Sequence, residues 1–175
     1  MLKVPPGHES ELTRIMNAFP DKGWEMYWSY ISADSNITME VIEMNIDKDW
    51  DWTFVSSNPN LTLEMIEKFP KKDWDWKHIS KNPNITMDII ETNPDKPWEW
   101  GYISQNPNIT MDIIEANPDK PWDWREIARN PNLTLESIKR NALKNWCIRL
   151  LSMNKFQKHH HLVKKRSQIR IKGIR

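Results

Sequence analysis

Seven carboxylic acids recur in register along the chain: Glu64 and Glu67, Asp88 and Glu91, Asp112 and Glu115, then Glu136. The members of each pair are three residues apart, a spacing that puts both on one face of a helix. Their recurrence predicts an acidic ladder, a negative strip that attracts a basic protein partner or the chain's own C-terminal end. Asp51, Asp75, Glu99 and Asp123 form a second row. The plain alternative is that acids collect in the first turns of helices, where the backbone dipole favours negative charge and water solvates it.

Other chemistry has less support. No Gly-rich phosphate loop, nucleophile elbow or metal-binding His-Glu pattern is present. A catalytic group would normally break a repeat, and the irregularities here fall at the two ends, so the expectation is a non-enzymatic protein with no cofactor and no metal site. The single cysteine, Cys147, excludes an intrachain disulfide and a cysteine-based zinc site. The run His159-His160-His161 has no acid or cysteine nearby to complete a metal site. Lys164, Lys165 and Arg166 suit a phosphate-binding patch or a nuclear import signal, with only Phe156 near them for base stacking. Eight of the 25 Lys and Arg lie from Lys155 onward, whereas all 24 acids lie before it, so an acidic body carries a basic tail. Five Asn-x-Thr triplets begin at Asn36, Asn60, Asn84, Asn108 and Asn132. They match a glycosylation acceptor, but the threonines already have a use as helix caps. No stretch is long and apolar enough to predict a membrane span, and residues 1–8 do not read as a signal peptide, so the expected location is intracellular.

The elements that would position these groups are set by repetition. Trp50, Trp74, Trp98, Trp122 and Trp146 fall 24 residues apart, as do Asn60, Asn84, Asn108 and Asn132. A fixed period of this size marks a stacked repeat. Residues 1–9 are an N-terminal extension and residues 10–154 the repeat domain. Residues 10–20 form a half-unit, units open near 21, 46, 70, 94 and 118, and a closing half-unit covers 142–154. The unit from Asp21 to Asn45 is degenerate, with two extra residues near 26–29 and Asp34-Ser35-Asn36 where later copies have Asn-Pro-Asn. Residues 155–175 break the period.

Within a unit two short helices are legible. In the copy from Asp119 to Pro131, Asp119 serves as cap, Pro121 suits the first turn, and Trp124, Ile127 and Ala128 share an apolar face. This predicts that the second Trp of each Trp-x-Trp pair is buried, with the first packing against the neighbouring unit or covering the turn. Pro131 ends the helix at Asn130. The second helix starts at Thr134 as N-cap; in the copies before it, Met87 with Ile90 and Met111 with Ile114 form its inner face. Positions such as Lys77-His78 and Arg125-Glu126 vary between copies and face solvent. Each residue ordered costs about 1.5 kcal/mol, more than an isolated hairpin of this size recovers by burial. The fold class is therefore all-α, a solenoid of stacked short helical hairpins with a 24-residue repeat.

The string Asn-Pro-Asp-Lys-Pro-Trp-(Asp/Glu)-Trp-x-x-Ile-(Ser/Ala)-x-Asn-Pro-Asn-(Ile/Leu)-Thr recurs at residues 93–110 and 117–134. It resembles tandem-repeat proteins encoded by mimivirus-like giant DNA viruses of amoebae. The resemblance covers about residues 20–146 and implies a viral repeat protein, with no catalytic residues to carry over. The expected function is a scaffold for protein–protein interaction through the acidic surface. The alternatives are nucleic-acid binding through the tail and a structural virion component.

Overall fold

The computed structural model describes residues 2–156, and these are helical throughout, with no strand among them. Two compact units divide the chain, Met1–Asn84 and Ile85–Arg175. The first holds α1 (Glu11–Ala18), a 3-10 turn (Trp24–Tyr27), α2 (Trp28–Ala33), α3 (Met39–Met44), α4 (Trp52–Ser57), α5 (Leu63–Lys68) and α6 (Trp76–Lys81). The second holds α7 (Met87–Thr92), α8 (Trp100–Ile103), α9 (Met111–Ala116), α10 (Trp124–Ile127), α11 (Leu135–Arg140) and α12 (Ile148–Met153). None exceeds eight residues, a length at which a helix in water has no stability of its own.

Local signals set the boundaries. Thr38, Thr62, Thr86, Thr110 and Thr134 each accept a hydrogen bond from the backbone N–H three residues on, so every second helix of a hairpin starts at its threonine as expected. Ser10 caps α1 in the same way, and Thr13 returns the bond to the Ser10 N–H. The first helices begin later than the Asp-Lys-Pro signal suggests. Their N-cap is the acid between the two tryptophans, Asp51, Asp75, Glu99 or Asp123, itself in an extended conformation.

That displacement follows from the first tryptophan of each pair. The indole N–H donates to the carbonyl five residues earlier, at the end of the preceding helix: Trp50 to Asn45, Trp74 to Phe69, Trp98 to Asn93, Trp122 to Asn117 and Trp146 to Asn141, all at 2.7–2.9 Å. A helix C-terminus leaves carbonyls without intrahelical partners, and here a side chain supplies the donor. Each of these tryptophans lies outside the helix, which starts two residues later. The ring then lies edge-to-face against the second tryptophan of the preceding repeat, with centroids 4.8–5.2 Å apart in Trp28–Trp50, Trp52–Trp74, Trp100–Trp122 and Trp124–Trp146. The second tryptophan of each pair is therefore less buried than expected. Trp50 and Trp122 are buried, and Trp74, Trp98 and Trp146 half-buried; the second tryptophans, Trp52, Trp76, Trp100 and Trp124, are all half-buried.

The core of each unit is aliphatic. Ile31, Val55 and Ile79 of the first helices, with Ile37, Leu61, Met65 and Ile66, are buried in the first unit. There α2 packs on α4 and α4 on α6. In the second unit Ile103 and Ile127, with Ile109, Leu133 and the pairs Met87/Ile90 and Met111/Ile114, take these places.

Repeats are also joined by buried hydrogen bonds. In the first unit, the fully buried Asn58 donates through Nδ2 to the carbonyls of Ser32, Asp34 and Ile37, each at 3.1 Å. Its Oδ1 accepts the Asn60 N–H at 2.8 Å. Asn82 repeats the pattern on Ser56 and Asn58, and accepts from Asn84. In the second unit Asn130 donates to Ser104, Asn106 and Ile109 at 2.9–3.2 Å, and Asn154 donates to Ala128 and Asn130. Serine hydroxyls add a second rung: Ser32, Ser56 and Ser104 accept the backbone N–H of Asp51, Asp75 and Asp123 at 3.0–3.1 Å. The Asn-Pro-Asn turn is thus an amide ladder between successive hairpins as well as a helix stop.

The N-terminal extension is tied down. Leu2 exchanges two backbone hydrogen bonds with the Asn17 side chain, and Lys3 does the same with Asn45. Leu2 itself is buried.

Candidate interaction surface on the second helices

The second helix of each hairpin begins at its threonine and keeps its Met and Ile inside, so its remaining side is left to water. All seven predicted acids, Glu64, Glu67, Asp88, Glu91, Asp112, Glu115 and Glu136, are exposed there. They are not equivalent. The later member of each pair is tied to a neighbouring side chain. Glu91 meets Lys120 at 3.5 Å. Glu115 meets the Arg140 guanidinium at 3.2 Å and accepts from Asn141 Nδ2 at 2.7 Å. Glu67 also has a partner. The earlier members, Glu64, Asp88, Asp112 and Glu136, sit in the first turn of α5, α7, α9 and α11, and their carboxylates make no hydrogen bond or ion pair to another described residue. In the second unit three of these open carboxylates recur at the 24-residue period.

Glu40 and Glu43 belong to the same two rows, one period before Glu64 and Glu67, and the sequence reading missed them. The exact period was the signal that would have found them. Glu43 pairs with Lys68, across a groove of about 340 Å³ between α3 and α5 that Glu40 and Glu64 also line. The Glu40 carboxyl is held below its ordinary value by its own backbone N–H first, then by the Thr38 hydroxyl, with nearby His8 adding to both.

Three members of the second acidic row cap their helices through the side chain; Glu99 takes the N-cap position without a side-chain cap bond. Asp51 accepts from the N–H groups of Thr53 and Phe54 and from the Ser29 hydroxyl. Asp75 accepts from the N–H groups of Lys77 and His78 and, at 2.9 Å, faces the His78 imidazole. Burial pushes the Asp75 carboxyl up, but these bonds outweigh it and hold the group below the usual aspartate value. Asp123 accepts from the Arg125 N–H at 3.0 Å and lies against its guanidinium.

The tryptophan pairs offer no open aromatic ladder, because the rings pair with each other and Lys72 and Lys144 cover Trp52 and Trp124, each 5.0 Å from the ring centroid. Among the described residues no three His, Cys, Asp or Glu side chains converge as a ligand set, and no helix is long and apolar enough to cross a membrane. Lys164, Lys165, Arg166 and the three histidines before them lie outside the described residues. Comparison with known proteins finds no matching family model, no similar curated protein and no similar solved structure.

Proposed function

We propose that the chain is a non-enzymatic repeat scaffold that holds a basic protein partner through the first-turn carboxylates of its second helices. The observation that carries this reading is the split between the two rows. Glu67, Glu91 and Glu115 are engaged within the fold, whereas Asp88, Asp112 and Glu136 stand exposed at one register of the second unit with no described side chain to neutralise them. Spaced like charges of this kind attract a complementary surface, speed its encounter and set its register more than they add affinity. Each carboxylate also sits at the positive end of its helix, so the row costs the free protein little.

The test replaces Asp88, Asp112 and Glu136 together by Lys and compares partners captured from cell extract with those of the parent chain. Asp95→Lys with Asp119→Lys, at exposed turn positions, is the charge control. The triple variant should lose basic partners and the control should keep them. An unchanged partner set would refute the acidic surface.

The competing reading, nucleic-acid binding through the basic tail, rests on eight Lys and Arg without an acid from Lys155 onward. Retention of the full chain on DNA and RNA in a salt gradient, with Lys164, Lys165 and Arg166 replaced by Glu as the comparison, separates it from the first. A steep salt dependence lost in that variant would favour the tail.

A further inference from the structure

The amide ladder has a direction, and the last described repeat leaves one end of it unused. In the first unit, the outer face of α4 is covered by the next repeat in three ways. Trp74 lies against Trp52, the Asp75 N–H bonds the Ser56 hydroxyl, and Asn82 Nδ2 bonds the carbonyls of Ser56 and Asn58. The face of α10 in the second unit receives Trp146 on Trp124 and Asn154 on the carbonyls of Ala128 and Asn130. On α12 the same places are held by Ile148, Leu151, Ser152 and Asn154, and nothing described covers them. Ile148 is 74% exposed, and Leu151 is half-buried where its counterparts Val55 and Ile127 are fully buried. Ser152 is exposed where Ser56 and Ser104 are fully buried. The carbonyls of Ser152 and Asn154 receive no donor among the described residues.

The chemistry of this face restricts what fits. It needs a primary amide to donate to two carbonyls, a backbone N–H for a serine hydroxyl, and a ring for an aliphatic side chain. A second copy of this chain does not supply them, because its leading repeat carries Asp34 in place of the ladder asparagine. A carboxylate has no donor to offer, and Asp34 already accepts from the N–H and Nδ2 of Asn36 at 2.7 and 2.9 Å. Residues 157–175 carry primary amides at Gln157 and Gln168 but no Asn-Pro-Asn turn and no Trp, so they do not supply the amide and ring together.

We propose that the trailing face of α12 is a docking site for a helical hairpin of the same repeat type on another polypeptide, entering with an Asn-Pro-Asn turn and a Trp-(Asp/Glu)-Trp segment. The complex continues the interface that already joins one hairpin to the next. It is independent of the acidic surface on the second helices, and either proposal can fail alone.

The test titrates the full chain with a synthetic polypeptide of the sequence 93–140, whose leading edge carries Trp98 and Asn106, and with the same polypeptide bearing Asn106→Asp. Saturable binding of the first, at least tenfold weaker binding of the second, and a similar loss when the full chain carries Ile148→Asp are the expected results. Ile148 is exposed, so that variant keeps its fold, which circular dichroism checks, and Ile148→Trp should retain binding. Equal affinity for the two polypeptides, indifference to Ile148→Asp, or no saturation by either overturns the proposal. Self-association of the chain alone, abolished by Ile148→Asp in sedimentation, would assign the face to a second copy and overturn it too.

Discussion

Replacing Asn58 by Asp changes a single NH2 group to an oxygen and keeps the shape of the side chain. In the fold that group is fully buried and donates to three carbonyls, those of Ser32, Asp34 and Ile37, all at 3.1 Å. The Asp34 carbonyl keeps the Ile37 N–H and the Ile37 carbonyl keeps Asn60 Nδ2, so Ser32 is the acceptor left worst off. An orphaned buried acceptor costs about 1–3 kcal/mol, and an uncompensated buried charge about 3–5 kcal/mol. Because the charge faces carbonyl oxygens, we expect a loss of about 4 kcal/mol at neutral pH, against total stabilities of about 5–15 kcal/mol for ordinary domains. Asn58→Ala should lose about half as much. Burial among acceptors raises the introduced carboxyl in the folded state above its unfolded value of about 3.9. A raised group binds its proton more tightly when folded, so the penalty is smallest below that value, where the protonated acid still donates one bond. It grows by up to about 1.4 kcal/mol per pH unit as pH rises toward the folded value, then levels off. Urea denaturation followed by tryptophan fluorescence from pH 3 to 8 measures this, and hydrogen exchange of the Asn60 and Leu61 amides locates it. A loss below about 1 kcal/mol, or one independent of pH, would show that the ladder does not hold the hairpins together.

Trp74→Phe keeps a ring against Trp52 but removes the indole donor to the Phe69 carbonyl; it should cost about 1–2 kcal/mol by thermal denaturation. Gly101 lies in α8, and a Cβ built there meets nothing within 4 Å. Gly101→Ala should therefore stabilise the protein by about 0.5–1 kcal/mol, read as a higher urea midpoint. The lowered carboxyl of Asp75 contributes stability that is present above the unfolded aspartate value and is lost as pH falls through the lower folded value. Asp75→Asn should lower stability at neutral pH and flatten that part of the acid-denaturation profile, as monitored by circular dichroism.

Much of the fold was legible because the 24-residue period carries both patterns that define a hairpin. The Thr caps with their Met and Ile faces announced the second helices, and the Pro after each Asn announced where the first helices end. What misled was the Trp-x-Trp pair. Helical periodicity places Trp124 with Ile127 and Ala128, and this is true of the face, but it says nothing of Trp122, whose role depends on a carbonyl five residues back. The amide ladder escaped for a related reason. Asn58, Asn82, Asn106 and Asn130 each sit before a proline, where a turn residue is expected anyway, so their side chains seemed already explained. The signal was that no Asp, Ser or Gly replaces them in the regular copies, although a turn tolerates all three; Asp appears only at Asp34, the first copy. The acidic rows were legible as positions but not as states. Which carboxylate is engaged depends on Lys120 and Arg140, residues of the following repeat whose reach no spacing rule reports.

The bond from each asparagine to the carbonyls behind it has a consequence for how such a chain lengthens or shortens. Every copy brings its own donors and leaves its own acceptors, so an in-frame duplication or deletion of one whole unit inside a run of regular copies creates no unmatched group at the junction. A change of any other length would put an apolar side chain or a charge where the amide must reach. Gains and losses in this gene are therefore constrained to whole multiples of the period, and the number of copies is free to drift while the contact between any two is not.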